Sequence, residues 1–414
     1  MSDFRVLSED PLNAEPPITT LSTSLLTPQD RVFNRNHGPI LSKDVETYTL
    51  SIKSEVPEVS LEKTLNYSDL EKFHSDEVIC ALSCAGNRRI EMDQEKKVEG
   101  LLWGGSAIAN SKFSGPLLRH VLESYGVTLD KVEENRHIHF ETTQKCEDAD
   151  FYGSSLPLSL ALDPERPVML ATHMNDEPLD EKHGKPCRLV VPGIIGARSV
   201  KWLERIIIRD KPSDNFYMTR DYKVLPPEAT SETKEEYLKQ VEPLMELPLN
   251  SEICEPADGN SIKLSGGERT VDVRGYALGT KGTPIESVKV CAVPLPLPPS
   301  ATDSEDDLPH PELHQIRLFA RSLAEERWIR AKLVDSVEGE SRKETDKNWS
   351  WTLFSSKVEI PDECVAKAGE TQVALVAFAT DKNGQEQELQ TPYNLRGVAE
   401  ASWSVARIKL ENSA

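Results

Sequence analysis

The chain has 414 residues, of which 38% are hydrophobic and 28% are charged. These values are typical of a soluble globular protein, and the length predicts two or three domains with cores that need no disulfide support. The formal net charge of −21 argues against nucleic acid and anionic membrane surfaces as partners. No stretch of the sequence has the continuous apolar length of a membrane span.

The two ends of the sequence and the spacing of its cysteines bear on the cellular location and on disulfide or zinc sites. The N-terminus has neither an apolar signal core nor an Arg-rich amphipathic segment, and the last three residues are not a peroxisomal signal. We therefore predict a cytoplasmic protein, while the sequence leaves a mitochondrial location open. The seven cysteines are scattered and include no C-x-x-C pair, which argues against a disulfide framework and a zinc ribbon.

The predicted elements begin with residues 1–30, which are polar, contain four prolines and predict an extended arm. A catalytic domain over 31–245 follows, and its mixture of strands with few helices predicts an α+β fold. A capping-box pattern predicts a short helix at 68–71, and helical spacing before Gly126 predicts another at 116–126. Apolar or alternating runs predict strands at 48–52, 78–82, 137–140, 189–196 and 203–208.

The pattern changes near residue 245, and residues 246–414 predict an all-β domain, an immunoglobulin-like sandwich. Short apolar runs alternate there with Gly, Pro and Asp/Asn turn signals, as in such sandwiches. The predicted strands include 270–275, 288–293, 349–353 and 373–378. A Pro- and acid-rich stretch over about 296–312 predicts an exposed loop within this domain.

The sequence Cys-Ala-Gly-Asn-Arg-Arg at residues 84–89 is the strongest candidate site. Cys84 ends the apolar run at 78–82, so its thiol would lie where a buried strand passes into a loop. Arg88 and Arg89 follow at once, and neighbouring cations stabilise the thiolate, which is the form that binds soft metals. By itself this pattern also fits a buried core cysteine beside surface arginines.

Further stretches give the cysteine partners. They are Arg35 in an Arg-Asn-His-Gly-Pro sequence, Trp103, His183 before Arg188, the run Pro-Gly-Ile-Ile-Gly-Ala-Arg-Ser-Val-Lys-Trp at 192–202, Asp221-Tyr222-Lys223, and Arg396 in an Asn-Leu-Arg-Gly sequence. In order and spacing this set resembles the sulfite oxidase family of molybdenum-cofactor enzymes, over roughly residues 10–410. The two long motifs, at 84–89 and 192–202, make the resemblance specific.

The resemblance implies a molybdenum–molybdopterin cofactor, in which a pterin dithiolene carries the metal and a phosphate. Cys84 would be the protein ligand of molybdenum. Bidentate guanidinium groups and backbone N–H groups suit the phosphate and pterin. The residues implied to bind the cofactor are Phe33, Asn34, Arg35, Asn36, His37, His183, Arg188, Ser199, Val200 and Lys201.

The resemblance also implies sulfite as the substrate and oxygen-atom transfer to sulfate as the reaction, with molybdenum carrying the two-electron chemistry. A small dianion needs convergent cations and exclusion of water. The implied catalytic residues are Arg35, Arg89, Trp103, Tyr222 and Arg396. The arginines would bind the anion, Trp103 would wall the site, and the Tyr222 hydroxyl would hydrogen-bond the substrate or the oxygen on the metal.

Simpler interpretations of single residues stay open at this point. His183 also fits a loop histidine, Lys201 a solvated lysine, Trp103 a core aromatic residue and Tyr222 a surface tyrosine. Arg396 fits a salt bridge between the domains nearly as well as substrate contact. Arg88 is assigned to structure or to support of the cofactor.

Three positions depart from the family pattern, and they leave the substrate range open. They are Gln144, where the family usually has an aspartate, the stretch 172–176, and Lys182 before His183. The cofactor motifs begin by residue 33 and no His-Pro-Gly-Gly motif occurs, so we predict a haem-free enzyme similar to the plant type. The predicted partners are oxygen or a separate redox protein as electron acceptor, and a second copy bound through the β-domain.

Two other functions compete with sulfite oxidation. A nitrate reductase would use the same cofactor, but eukaryotic members of that class typically lack the tyrosine that stands here as Tyr222. A non-catalytic binding or scaffold protein with a decayed site is the alternative from a different class. Retention of Cys84, Arg35, Arg89 and Tyr222 argues against decay.

Overall fold

The computed structural model describes residues 3–264, 269–295, 312–334, 347–364 and 371–412. In these ranges no helix is long and apolar enough to cross a membrane. The predicted acidic loop at 296–312 lies, except for its last residue, outside the described residues. The α+β class of the first domain and the β-sandwich of the second are both confirmed.

The first domain is built from thirteen short strands and six short helices. The strands are β1 (Arg5–Ser8), β2 (Asn13–Glu15), β3 (Thr49–Ser54), β4 (Glu62–Asn66), β5 (Asp76–Ser83), β6 (Ile108–Gly115), β7 (His137–Glu141), β8 (Gly153–Pro157), β9 (Met169–Ala171), β10 (His173–Met174), β11 (Glu177–Pro178), β12 (Arg188–Val190) and β13 (Arg205–Arg209). The helices are α1 (Tyr67–Leu70), α2 (Arg89–Glu95), α3 (Leu118–Ser124), α4 (Leu158–Ala161), α5 (Phe216–Thr219) and α6 (Lys234–Leu238).

Two sheets organise this domain. A five-stranded sheet in the order β4-β3-β13-β7-β8 carries the main core, and β13 runs parallel to β3 within it. A four-stranded sheet in the order β11-β10-β6-β5 ends with β5 at its edge, and Cys84 directly follows that strand. The apolar side chains of the core strands are fully buried, for example Ile52, Phe140 and Ile206. Burial of such side chains is the main source of stability in the domain.

The N-terminal segment corrects the prediction of an extended arm. Residues 5–15 form the β1–β2 hairpin, and Phe4, Ala14 and Leu21 are buried. The Glu15 carboxylate accepts a hydrogen bond from the Gly104 backbone N–H at 2.9 Å. Polar composition and prolines suggested a free segment, but its few apolar side chains and Glu15 attach it to the domain.

Two local predictions also need correction. The capping box of α1 uses Asn66 and Asp69, two residues before the predicted start, because the Asn66 side chain accepts from the Asp69 N–H. The run at 189–196 is a strand only to Val190, since Pro192 has no N–H for a ladder and Gly193 has a φ of +77°. The predicted helix before Gly126 is confirmed as α3, and Gly126 has the positive φ of a helix end.

The second domain is a sandwich of two sheets. Its described strands are β14 (Asn250–Glu255), β15 (Ser261–Leu264), β16 (Thr270–Leu278), β17 (Ile285–Leu295), β18 (Ile329–Arg330), β19 (Lys332–Val334), β20 (Thr352–Glu359), β21 (Thr371–Asp381) and β22 (Ser404–Asn412). The α-helix α7 (Glu312–Ser322) lies between β17 and β18. The sheet orders are β14-β16-β20-β19 and β15-β22-β21-β17-β18.

The predicted strand at 349–353 begins only at Thr352. The three residues before it lie against the first domain, where the Ala81 N–H donates to the Trp349 carbonyl at 3.0 Å and the Trp351 indole N–H donates to the Leu25 carbonyl at 2.9 Å. Alternation of aromatic and polar residues predicted a strand, but these side chains serve the contact between the domains.

Candidate active site

Cys84 lies in a tight turn between β5 and α2. Its N–H donates to the Ala107 carbonyl at 2.8 Å, and its carbonyl accepts from the Asn87 N–H at 3.0 Å. Arg88 closes the turn in the left-handed conformation, with a φ of +63°. The Gly86 N–H points at the Cys84 sulfur, 3.4 Å away. A backbone donor aimed at the sulfur can hydrogen-bond a sulfur that serves as a metal ligand, so the turn suits that role.

A cavity with about 850 Å³ of empty space opens beside the Cys84 thiol. Its walls come from the segment after β2, from β5 and β6, and from the loops around β12. Most of the predicted cofactor residues line it: Phe33, Arg35, Asn36, His37, His183, Arg188, Ser199 and Lys201, together with Tyr222. The structure therefore brings together residues that are far apart in sequence, for example Arg35 and Tyr222.

Three cations of this cavity, Arg35, Arg188 and Lys201, are held by neutral groups. Lys201 Nζ bonds the Asn36 side chain and donates to the Lys182 carbonyl at 2.9 Å, and Arg188 donates to the carbonyls of His183 and Ser199 at 3.1 and 3.2 Å. Among the described residues none of the three cations forms an ion pair with a carboxylate.

Burial has a clear electrostatic effect on these groups. It holds the pKa of Lys201 well below its usual range, with a further contribution from neighbouring Arg188, and it lowers the pKa of Arg188 to about 10. Arg188 Nε is buried without a hydrogen-bond partner. An anionic ligand would supply the missing acceptor and charge, so the wall fits a phosphate-bearing cofactor.

His37 and Tyr222 form a polar contact in the wall of the cavity that Cys84 also lines. His37 Nε2 is 2.6 Å from the Tyr222 hydroxyl, and His37 Nδ1 is 3.4 Å from Arg35 Nη2. Burial, aided by the charge of Arg35, holds the pKa of His37 well below its usual range, so the ring is neutral. An arginine can only donate, so Nδ1 accepts and the proton lies on Nε2. Nε2–H then donates to the tyrosine oxygen, which leaves the Tyr222 O–H free to donate into the cavity.

Arg396 comes from the second domain and does not line the cavity. Its guanidinium pairs with Asp221, the residue before Tyr222, and lies 3.5 Å from Glu99. The salt-bridge interpretation of Arg396 therefore describes its place in the structure. Through Asp221 it holds the backbone that carries Tyr222.

Arg89 and Trp103 lie behind Cys84 rather than on the cavity wall. The Arg89 guanidinium donates to the carbonyls of Gly397 and Leu101 at 3.1 and 2.9 Å. Its Nη2 lies 2.5 Å from where a Cβ on Gly86 would stand, so a larger residue at position 86 would displace the guanidinium. Trp103 is fully buried, clusters with Cys84 and meets Phe33 edge to face at 6.4 Å.

Two predicted cofactor residues also stay off the wall. Asn34 is buried and pairs through its backbone with Ala14. The Val200 side chain belongs to the domain core, and its carbonyl accepts from the Leu189 N–H at 2.8 Å. His183 and Tyr222 are buried in the cavity wall, and Lys201 is half-buried there, so the loop, solvent-facing and surface alternatives for them do not apply.

The structure adds residues that the motifs did not supply. Asn13 accepts from Arg35 Nη1 at 3.1 Å, and Tyr152 lines the cavity and stacks on the His37 ring at 5.5 Å between centroids. Neither has a local sequence signal. Gln144, noted above as a departure, lines the cavity and donates to the Gly38 and Pro39 carbonyls at 3.1 and 2.9 Å.

Comparison with known proteins bears directly on this geometry. The family model "Oxidoreductase molybdopterin binding domain" matches residues 37–217, and "Mo-co oxidoreductase dimerisation domain" matches residues 241–292. The chain is 31% identical to a sulfite oxidase of Arabidopsis thaliana over 418 residues, covering 99% of this chain and 95% of that protein. The chain belongs to the sulfite oxidase family. Most of the residues that line the cavity lie within the part of the chain that matches the molybdopterin-binding domain, while Phe33, Arg35, Asn36 and Tyr222 lie just outside it.

This sulfite oxidase family member is also similar to a human protein and to a bacterial protein of known structure. It is 35% identical to the mitochondrial sulfite oxidase of Homo sapiens over 402 residues, which cover 97% of the chain but 64% of that protein's length. The chain therefore spans less than two thirds of the human protein. The sulfane dehydrogenase SoxCD of Paracoccus pantotrophus superposes with a TM-score of 0.67 at 22% identity, covering 96% of this chain and 84% of that one. The two share the fold.

A Lys201→Met variant tests whether the cavity holds the cofactor. We expect it to retain the molybdenum cofactor about tenfold less well than the wild type, because it loses a buried charge-assisted contact to the anion. The measurement is molybdenum and pterin content after gel filtration. Lys43→Met, which breaks an ion pair with Glu204 outside the cavity, is the matched control and should keep the wild-type content. Unchanged molybdenum in Lys201→Met would contradict the placement.

Proposed function

We propose that this chain oxidises sulfite to sulfate by molybdenum-dependent oxygen-atom transfer. The observation that carries the proposal is that Cys84, Arg35 and Tyr222 line one cavity, in which Arg35, Arg188 and Lys201 form no ion pair with any carboxylate that the structure describes. The bound cofactor would supply the two-electron redox chemistry and the transferred oxygen. The protein's own residues supply placement and charge.

Sulfite is a small oxyanion, and the donors near Cys84 suit it. Arg35 is held by Asn13 and by its own neighbour Asn36, whose carbonyl accepts from Nη1 at 2.6 Å, so its fork is fixed before a substrate arrives. The Tyr222 O–H, left free by His37, donates into the same space. Fixed donors in a site that excludes water stabilise developing charge more strongly than mobile ones do.

The proposal also covers the electron acceptor, the haem content, the oligomeric state and the location of the enzyme. We assign electron transfer to oxygen or to a separate redox protein and treat the chain as haem-free. The match of residues 241–292 to a dimerisation domain supports a homodimer formed through the second domain. The cytoplasmic location stays a prediction.

The test is metal analysis of the purified protein combined with a sulfite-dependent turnover assay, with oxygen and cytochrome c tried separately as acceptors. We expect about one molybdenum per chain and turnover with sulfite. A parallel assay with nitrate and an artificial reductant examines the competing function. Full molybdenum content without sulfite oxidation would overturn the substrate assignment and leave the fold and cofactor standing.

A Tyr222→Phe variant tests the role of the free hydroxyl. We expect kcat/KM for sulfite to fall about tenfold or more, since a hydrogen bond to a charged oxyanion is lost while the ring stays in place. Steady-state kinetics over a sulfite series measures this. Tyr48→Phe removes another buried hydroxyl, one that donates to the Leu203 carbonyl outside the cavity, and should leave kcat/KM unchanged. Wild-type kinetics in Tyr222→Phe would show that the hydroxyl does not reach the substrate.

A further inference from the structure

Two loops of the first domain meet directly behind Cys84. One is the cysteine loop, residues 84–89, and the other is the tryptophan loop, residues 101–107. Backbone hydrogen bonds join the two loops. The Cys84 N–H donates to the Ala107 carbonyl at 2.8 Å, and the Arg88 N–H donates to the Gly104 carbonyl at 2.7 Å. Just beyond the cysteine loop, the Ile90 N–H donates to the Trp103 carbonyl at 3.0 Å. The position of the Cys84 sulfur therefore depends on where the tryptophan loop lies.

A single hydroxyl from the second domain reaches both loops. The Tyr276 oxygen accepts from Asn87 Nδ2 at 3.1 Å, and its O–H donates to the Gly105 carbonyl at 3.1 Å. Both the donating and the accepting capacity of the phenol are thus used, one in each loop. Tyr276 is fully buried and stacks on Trp351, with ring centroids 5.1 Å apart. The ring is held in place, so the hydroxyl is a fixed point.

The register of β16 explains why a tyrosine stands there. Val271, Val273 and Ala277 face the interior of the sandwich, while Asp272 and Arg274 on the opposite face are exposed. Tyr276 continues that outer face but is covered by the first domain and belongs to its core. The sandwich does not need this side chain for its own packing, so its contacts serve the boundary between the domains.

Other bonds attach the cysteine loop to the second domain, but each reaches only one loop. The Ala399 N–H donates to the Ala85 carbonyl at 2.8 Å, and Arg88 Nη1 donates to the Ser402 carbonyl at 2.8 Å. Tyr276 differs because it sets the spacing between the two loops as well as their distance from the sandwich.

We propose that Tyr276 is a positioning residue: its hydroxyl holds the cysteine loop and the tryptophan loop in register, and thereby orients the Cys84 sulfur toward the cavity. The proposal deepens the proposed function and rests on it in taking Cys84 as the molybdenum ligand. According to this proposal, the second domain positions the Cys84 sulfur in addition to forming the dimer.

The test uses a Tyr276→Phe variant, which keeps the ring and its stacking and removes one oxygen. Hydrogen exchange, read by mass spectrometry on the purified chain, should be about fivefold to tenfold faster for the amides of residues 84–90 and 101–107 only. In the molybdenum-loaded protein the thiolate-to-metal absorption band should shift, which a purely structural loss elsewhere would not cause. Tyr393→Phe is the control, since it removes a second-domain hydroxyl that donates to the Lys97 carbonyl at 2.7 Å, outside both loops.

An Asn87→Ala variant approaches the same contact from the other side. If the contact acts as proposed, the effects of Asn87→Ala and Tyr276→Phe on exchange in the cysteine loop will not add in the double variant. Additive effects, or exchange in Tyr276→Phe equal to that in Tyr393→Phe, would overturn the proposal. Because exchange needs no turnover, faster exchange in a protein that fails to oxidise sulfite would keep the positioning role and reject only the proposed function.

Discussion

A Cys84→Ala variant is expected to lose sulfite oxidation by more than about 100-fold, because loss of a direct metal ligand should cost more than the loss of a residue that merely supports one. Alanine removes the thiolate while leaving the turn, whose backbone bonds run through the Cys84 N–H and carbonyl. The variant should therefore fold. Turnover with sulfite and the thiolate-to-metal absorption band are the measurements.

The control for Cys84 is Cys80→Ala, in the strand β5 that leads into the cysteine turn. Cys80 is fully buried, does not line the cavity, and burial raises the pKa of its thiol to about 12, so it is a neutral core group. We expect this variant to keep its turnover. Full activity in Cys84→Ala would refute the assignment of Cys84 as the ligand, whatever the control shows.

An Arg88→Met variant is expected to lose about 3–5 kcal/mol of stability, the cost of breaking a buried ionic network from one side. The guanidinium is fully buried and bonds Glu91 at 2.7 Å, the Asn250 side chain at 2.7 Å and the Ser402 carbonyl at 2.8 Å, with Glu252 at 2.9 Å. Methionine fills a similar volume but leaves these acceptors without their donor. The measurement is denaturant unfolding of the wild type and the variant.

The stability that Arg88→Met loses relative to the wild type should increase at high pH. Burial raises the pKa of Glu252 to about 8 even with Arg88 beside it. Glu252 therefore takes up a proton on folding, so stability falls as the pH rises toward 8 and then levels off in the wild type. Without the guanidinium this pKa moves higher, so the variant continues to lose stability above about pH 8 and its deficit widens there.

Arg407→Met is the matched control for Arg88. Arg407 pairs with Asp258 at 2.7 Å, but both side chains are partly exposed, at 29% and 47%. An exposed pair contributes about 0–1 kcal/mol, so this variant should stay near wild-type stability. A loss in Arg88→Met no larger than in Arg407→Met would contradict the structural role of the buried network.

Secondary structure could be predicted where a side-chain pattern acts locally. The alternation of His137–Glu141 and the apolar spacing before Gly126 produced a strand and a helix as expected. Predictions were wrong where distant contacts decided the outcome. The polar, proline-containing start packs because Phe4 and Leu21 find apolar partners in the domain, and Trp351 lies outside a strand because its indole bonds Leu25. Neither partner is visible in the local sequence.

In the candidate site, too, residues within local motifs could be predicted and residues brought in by distant segments could not. Motifs predicted six residues that line the cavity, and their roles there are still predictions: Cys84, Arg35, His183, Arg188, Lys201 and Tyr222. Asn13 and Tyr152 were missed because they reach the cavity from segments without such a motif. For Arg396 the sequence left open either substrate contact or a salt bridge between the domains. In the structure Arg396 forms an ion pair with Asp221.

By itself, the sequence determined the family, the cofactor class and the thiol beside two arginines, because these reside in residue types at fixed spacing. Only the tertiary structure decided what each neighbour of that thiol does. Arg88 turned out to join the domains, Arg89 to bind backbone carbonyls, and Tyr276 to link two loops. The physical reason is that hydrogen-bond partners and burial are set by segments hundreds of residues apart, which no local pattern encodes.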